Sequence, residues 1–197
     1  MNKLEIENKL KDNKLPDGWV KIKLSKVCNL SYGKNLATNN FKEDGKYKVF
    51  GANGVIGYYN KFTHNEPVVL VSCRGEYSGV VKISENKSYI TNNSIPLVIK
   101  DKNLLNTFYL YYFLKLVPRN NFVSGSAQPQ VVINDLKFLN IFFPSLQIEQ
   151  QKIAEILETV DETIEKADVI IEKYKRIKQG LMQDLLTRGI DENGKIR

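Results

Sequence analysis

From Gln147 to Arg188 the chain contains no proline and a single glycine, Gly180, and its apolar residues recur at a fixed interval. Ile153, Leu157, Val160, Ile164, Ala167, Ile171, Tyr174, Leu181 and Leu185 follow one another in steps of four and three, with Lys178 occupying the one seam position inside a seven-residue gap. Alternation sustained over several heptads predicts a coiled-coil helix with a narrow apolar seam. At about 1.5 Å per residue such a helix is on the order of 60 Å long. A domain built from residues 15–145 would measure roughly 30 Å across, too little to cover the seam from end to end. The seam therefore requires a second long helix, although its first turns could instead fold back on the chain's own domain.

Charge orients that partner. Residues 149–168 carry seven acids and two bases, and residues 169–188 carry two acids and five bases. Two copies side by side match opposite charges when antiparallel and like charges when parallel. Acid first and base last also suits the helix dipole, so part of the asymmetry is intrachain.

Ahead of the helix the sequence reads as strands. "WVKIKLSKV" alternates, with Val20, Ile22 and Leu24 on one face and Lys21 and Lys23 on the other. "YKVFG", "GVIGYY", "PVVLVSC", "GVVKI", "SYIT" and "IPLVIK" continue the pattern between Gly- and Asn-rich turns. "NLLNTFYLYYFLKLVP" at 103–118 is too long and continuously apolar for a strand and predicts a buried helix ended by Pro118, and "LKFLNIFFP" predicts a last strand. The expected class is α+β: a polar extension (1–14), a β-rich globular domain (15–145), one long coiled-coil dimerisation helix (146–188) and a tail (189–197).

Chemistry-bearing constellations are sparse. The one histidine, His64, lies in the polar stretch "KFTHNEP" and reads as a solvated loop histidine. "GANGVIG" lacks the Lys-Ser/Thr of a phosphate loop and joins two strands, so it reads as a hairpin turn. "SENK" places Glu85 and Lys87 in a nuclease-like triplet with Glu66 or Glu76 upstream, but in a turn of a Lys/Glu-rich chain. Cys28 and Cys73 have no Cys/His partner set and read as free buried thiols. No catalytic or metal-binding residues are expected. With no run of 18 apolar residues and a charged N-terminal stretch, the expectation is a cytoplasmic protein with no membrane partner.

Residues 1–146 carry 20 Lys+Arg against 11 Asp+Glu, a balance that favours a polyanion such as double-stranded DNA. The turns supply side chains suited to base edges and phosphates: Lys34, Asn35, Asn39, Asn40, Asn53, Arg74, Tyr77, Asn92 and Asn93, with Ser124, Ser126, Gln128 and Gln130 in the loop "SGSAQPQ". Each of the asparagines is also an ordinary turn former.

Three stretches together carry a family resemblance. "SGSAQPQVVINDLKFLNIFFPSLQIEQQKIAEIL" at 124–157, "KQGLMQDLLTRGIDENGKIR" at 178–197 and "LPDGWVKIKLSKV" at 15–27 resemble, in turn, three parts of the specificity (S) subunits of type I restriction-modification systems. These are the junction of recognition domain and conserved helix, the helix end with its spacer, and the domain start. The resemblance implies a non-catalytic subunit that reads a bipartite DNA target while modification (M) and restriction (R) subunits do the chemistry. S-adenosylmethionine then sits on M, and ATP and magnesium sit on R. Family members typically hold two recognition domains in tandem; this chain holds one, so it looks like a half-size S subunit or a first half. The resemblance and the seam together imply an antiparallel homodimer that reads an interrupted palindrome, with the outer helix face as the M dock. A loop shared by members with different targets shapes the domain more than it chooses bases, which ranks Gln128 and Gln130 below Asn35, Asn53, Arg74 and Asn92. The rival reading is a stand-alone dimeric DNA-binding regulator or adaptor.

Overall fold

The computed structural model describes residues 15–125 and 128–197. The expected extension 1–14 and the candidate Ser126 lie outside the described residues. The chain divides into two compact units, residues 1–154 and 155–197.

The first unit is a layered α+β domain. Its strands are β1 (Trp19–Lys23), β2 (Cys28–Leu30), β3 (Tyr47–Gly51), β4 (Gly54–Tyr59), β5 (Val69–Ser72), β6 (Val81–Ile83), β7 (Tyr89–Ile90), β8 (Ser94–Ile99) and β9 (Asn140–Pro144). Its helices are α1 (Leu24–Val27), α2 (Thr107–Leu116) and α3 (Ile133–Phe138), and the long α4 (Gln147–Arg188) begins within it. A four-stranded sheet of order β2-β8-β5-β6 forms the middle layer, beside a three-stranded sheet β4-β3-β7 and a ribbon β1-β9.

The middle sheet is covered on both faces, which explains the unbroken apolar run of β5. Val69, Val71, Ile95, Leu97 and Ile99 join a large core with Leu105, Tyr109, Leu110, Leu114, Leu136 and Phe143. Leu70, of opposite parity, faces a smaller core with Phe50, Val68 and Ile90. Burial drives both cysteine thiols up, Cys28 to about 12, so neither is a thiolate at neutral pH.

Several local expectations change. "WVKIKLSKV" is a strand followed by one helical turn, with β2 starting only after it at Cys28, because the turn α1 buries Leu24 and Val27 together. Within β1, Trp19 and Ile22 pack on the core while Val20 is 36% exposed, so the two-residue alternation expected of Val20, Ile22 and Leu24 does not hold. Helix α2 starts at Thr107, not 103: the Asn106 side chain accepts bonds from the N–H groups of Phe108 (2.9 Å) and Tyr109 (3.0 Å) and caps it there. Only one stripe of α2 is buried, at Tyr109, Leu110 and Leu114. "LKFLNIFFP" is not one strand; α3 turns Leu136 into the core and leaves Phe138 68% exposed, and β9 follows.

His64 is half-buried, not solvated. Its main chain pairs with Ser88, its Nδ1 lies 2.8 Å from Thr63 Oγ1, and burial followed by the charge of Lys34 lowers its pKa. Helix α4 has 42 residues and stops at Gly189, whose φ of 71° suits a glycine and whose N–H bonds Leu185 O (3.0 Å). Among the described residues no helix is long and apolar enough to cross a membrane.

Candidate nucleic-acid interface

Five loops meet at one end of the middle sheet, where β5 ends at Ser72 opposite the start of β8 at Ser94. Both serines are buried and both hydroxyls point to the β3–β4 turn, Ser72 Oγ donating to Ala52 O and Ser94 Oγ to Gly51 O (2.9 Å). That turn carries Asn53. Thr91 donates its N–H and its hydroxyl to Phe50 O, at 3.0 and 2.9 Å, tying the 91–93 loop to the same turn.

The 31–35 loop lies alongside. Gly33 N donates to Ser94 O (3.0 Å), Lys34 N to Ile90 O (2.9 Å), and Tyr89 Oη to Asn35 O (3.1 Å). A Cβ at position 33 would stand 2.2 Å from Thr91 O, so only glycine permits this approach.

Cys73 joins the remaining loops: its N–H donates to Asn93 O and its carbonyl accepts from Val131 N, both at 3.0 Å. Arg74 bridges Gln130, Ser124 and Gln130 exchange two 2.8 Å main-chain bonds, and Ser78 Oγ donates to Pro129 O (2.6 Å).

The side chains carried outward are those of Lys34, Asn35, Asn53, Arg74, Tyr77, Asn93, Gln128 and Gln130, all exposed, with Asn92 half-buried. The arrangement offers two cations and several amides on a main-chain frame. Two candidates stand elsewhere. Asn39 and Asn40 occupy a 3-10 turn whose neighbours follow β4: Lys42 N donates to Tyr58 O (2.9 Å) and Phe41 lies over Gly57.

Tyr32, exposed beside Gly33 on the same frame, was missed in the sequence, although an aromatic in "SYGK" flanked by turn residues was an available signal. Glu85 pairs with Lys48 (2.5 Å) and Glu66 with Lys102, so the carboxylate of the nuclease-like triplet and one of its two upstream candidates are engaged with lysines. Among the described residues no group of three or more His, Cys, Asp or Glu could hold a metal ion.

The start of α4 is fastened to the first unit by polar side chains. Gln150, fully buried, accepts from Asn106 N (2.8 Å) and donates to Leu104 O (2.9 Å) and Pro144 O (2.8 Å). Gln147 donates to Lys102 O, and Trp19 Nε1 donates to Glu149 Oε1 (3.3 Å). Ile153 packs on the large core, so this expected interface residue belongs to its own domain. Beyond it, Leu157, Val160, Ile164, Ile171, Tyr174, Leu181 and Leu185 are 38–65% exposed, and Ala167 is exposed as well.

Residues 16–173 match the family model described as the type I restriction modification DNA specificity domain. The chain belongs to this family. The specificity-domain chain is 27% identical over 142 residues to the type I restriction enzyme EcoprrI specificity subunit of Escherichia coli, covering 70% of this chain and 35% of that protein. It is 26% identical over 194 residues to the MjaVIII specificity subunit of Methanocaldococcus jannaschii, covering 91% and 44%. The crystal structure of a type I restriction-modification S subunit from M. genitalium superposes with a TM-score of 0.68 at 25% identity, over 88% of this chain and 46% of that one. The specificity-domain chain thus spans less than half the length of these relatives. Its motif Leu146-x-x-Glu149-Gln150 has a clear local role, since Glu149 and Gln150 fasten the helix start.

Proposed function

We propose that this specificity-domain chain is a non-catalytic, DNA-reading half of a cytoplasmic type I restriction-modification complex. The observation that carries the reading is the frame of five loops, bonded through main chain and hydroxyls at one end of a basic domain while Lys34, Arg74 and a set of amides face outward. Arg74 and the asparagines would read base edges and Lys34 would hold phosphate. Tyr77 and Tyr32 would stack or pack against the backbone. Asn39 and Asn40 would touch DNA only at the margin.

The exposed seam from Leu157 to Leu185 supports pairing with a second copy, antiparallel by the charge polarity of the helix. A two-fold dimer reads the same half-site twice, so the target is an interrupted palindrome. The outer face of the helix pair docks the M subunit, which carries S-adenosylmethionine; the R subunit carries ATP and magnesium.

Methylation mapping with the cognate M subunit tests the reading. An interrupted palindrome is expected, whereas an asymmetric bipartite site would require a second, different recognition domain. In binding assays Arg74→Ala should lose about 1–3 kcal/mol on the cognate site and less on random duplex.

A further inference from the structure

We infer that two copies of α4 pair in one register, in which Ala167 of each helix faces Lys178 of the other. This rests on the antiparallel pairing proposed above and adds its alignment.

The seam has two irregular positions among exposed large apolar residues: Ala167, the only small one, and Lys178, the only charged one. With Leu157, Ile164, Ile171, Lys178 and Leu185 as one set of heptad positions and Val160, Ala167, Tyr174 and Leu181 as the other, antiparallel packing sets a residue of one kind against the other kind. When facing residues have numbers that add to 345, Ile171 meets Tyr174, Ile164 meets Leu181, Val160 meets Leu185 and Ala167 meets Lys178, while at each outer end Leu157 meets Arg188, the last residue of the helix. The long lysine stem then lies over a methyl group with its ammonium at the edge, in water.

The flanks agree. On one side Ile170 and Ile177, 54% and 44% exposed, face each other across the axis and widen the apolar centre. On the other side Asp168 comes opposite Lys175, which bonds Glu172 of its own helix at 2.7 Å. A slip of one heptad either way loses both features. One slip stacks Asp168 on Asp168 of the second copy and puts Lys178 against Val160. The other stacks Lys175 on Lys175 and puts Lys178 against Tyr174. Like charges facing across an interface are unfavourable, and a lysine facing a bulky apolar residue leaves a poor seal.

Cysteine cross-linking tests the alignment. Cys28 and Cys73 are buried, and the parent chain serves as the control for them. An oxidised mixture of Ala167→Cys and Lys178→Cys should form covalent dimer at least about tenfold more than either variant alone. In this register like positions stand about 16 Å apart, beyond disulfide reach. Cross-linking of Lys178→Cys with Val160→Cys or with Tyr174→Cys in its place would overturn the register and leave the homodimer standing. A self-linked Ala167→Cys would mean parallel pairing and overturn both. A parent chain that sediments as a monomer at micromolar concentration would overturn the homodimer itself. As a second arm, Ala167→Lys should weaken dimerisation at least about tenfold and Ala167→Lys with Lys178→Ala should restore it, since both residues suit a helix. Failure of the double variant to recover would overturn the facing pair.

Discussion

The first two turns of α4 and the rest of the same helix follow one heptad pattern but meet opposite conditions. At the root, Gln150 is fully buried with both ends of its amide bonded, Ala154 is buried and Ile153 lies on the core. From Leu157 onward the same pattern presents Leu, Val, Ile and Tyr side chains to water. Periodicity alone therefore does not tell what covers a seam. The root is held by specific polar bonds to its own domain, and the remainder offers an apolar stripe, interrupted at Lys178, that suits another helix.

Four changes would break or sharpen this contrast. The largest effect is expected from Leu157→Asp with Ile164→Asp, which places four charges in the proposed dimer seam, where each buried apolar side chain would contribute about 1.5–3 kcal/mol. Sedimentation should show monomers while the thermal transition of the recognition domain stays in place. Gln150→Leu should do the reverse. It leaves Asn106 N–H and the carbonyls of Leu104 and Pro144 unpaired in the interior, at about 1–3 kcal/mol for a buried group, and calorimetry should record a lower Tm for the domain.

Tyr109→Phe removes the bond to Phe142 O, about 1 kcal/mol. It also removes a pH dependence. Burial first, then the charge of Glu149, raises the Tyr109 pKa above the ordinary 10. A raised phenol contributes stability that is full below pH 10 and lost as pH climbs above it, because the unfolded chain ionises first. Denaturation at pH 9 and 11 should therefore show a shallower loss in Tyr109→Phe than in the parent. The smallest effect is expected from Trp19→Phe, which deletes the 3.3 Å bond to Glu149 and keeps most of the ring, at about 0.5–1 kcal/mol by chemical denaturation.

Much of the fold was legible where pattern and turn chemistry coincide. Strands β3 and β4 fall on "YKVFG" and "GVIGYY", joined by the expected tight turn, and the long helix runs from Gln147 to Arg188. Legibility fails where tertiary contacts choose between local options. Leu24–Val27 and Ile133–Phe138 have strand-like composition but turn helically because that buries Leu24 with Val27 in one case and Leu136 in the other. The candidate site divides similarly. That turns would carry amides and cations is a property of the sequence. That Cys73 would join the 91–93 loop to Val131, or that Asn39 and Asn40 would follow β4 instead, depends on pairings between segments far apart in the chain. Gln150 looked like one more helix-surface amide, since its register position alone does not reveal three main-chain partners waiting in the interior.

The frame that holds the five loops is built from Ser72, Ser78, Tyr89, Thr91 and Ser94 hydroxyls and from main-chain groups such as those of Gly33, Lys34, Cys73 and Gln130. Its geometry is thus separate from the side chains it displays at positions 34, 35, 53, 74, 93 and 128. A library randomised at those six sites should keep nearly all of its members folded, so the architecture works as a socket into which alternative alphabets of contacts can be fitted.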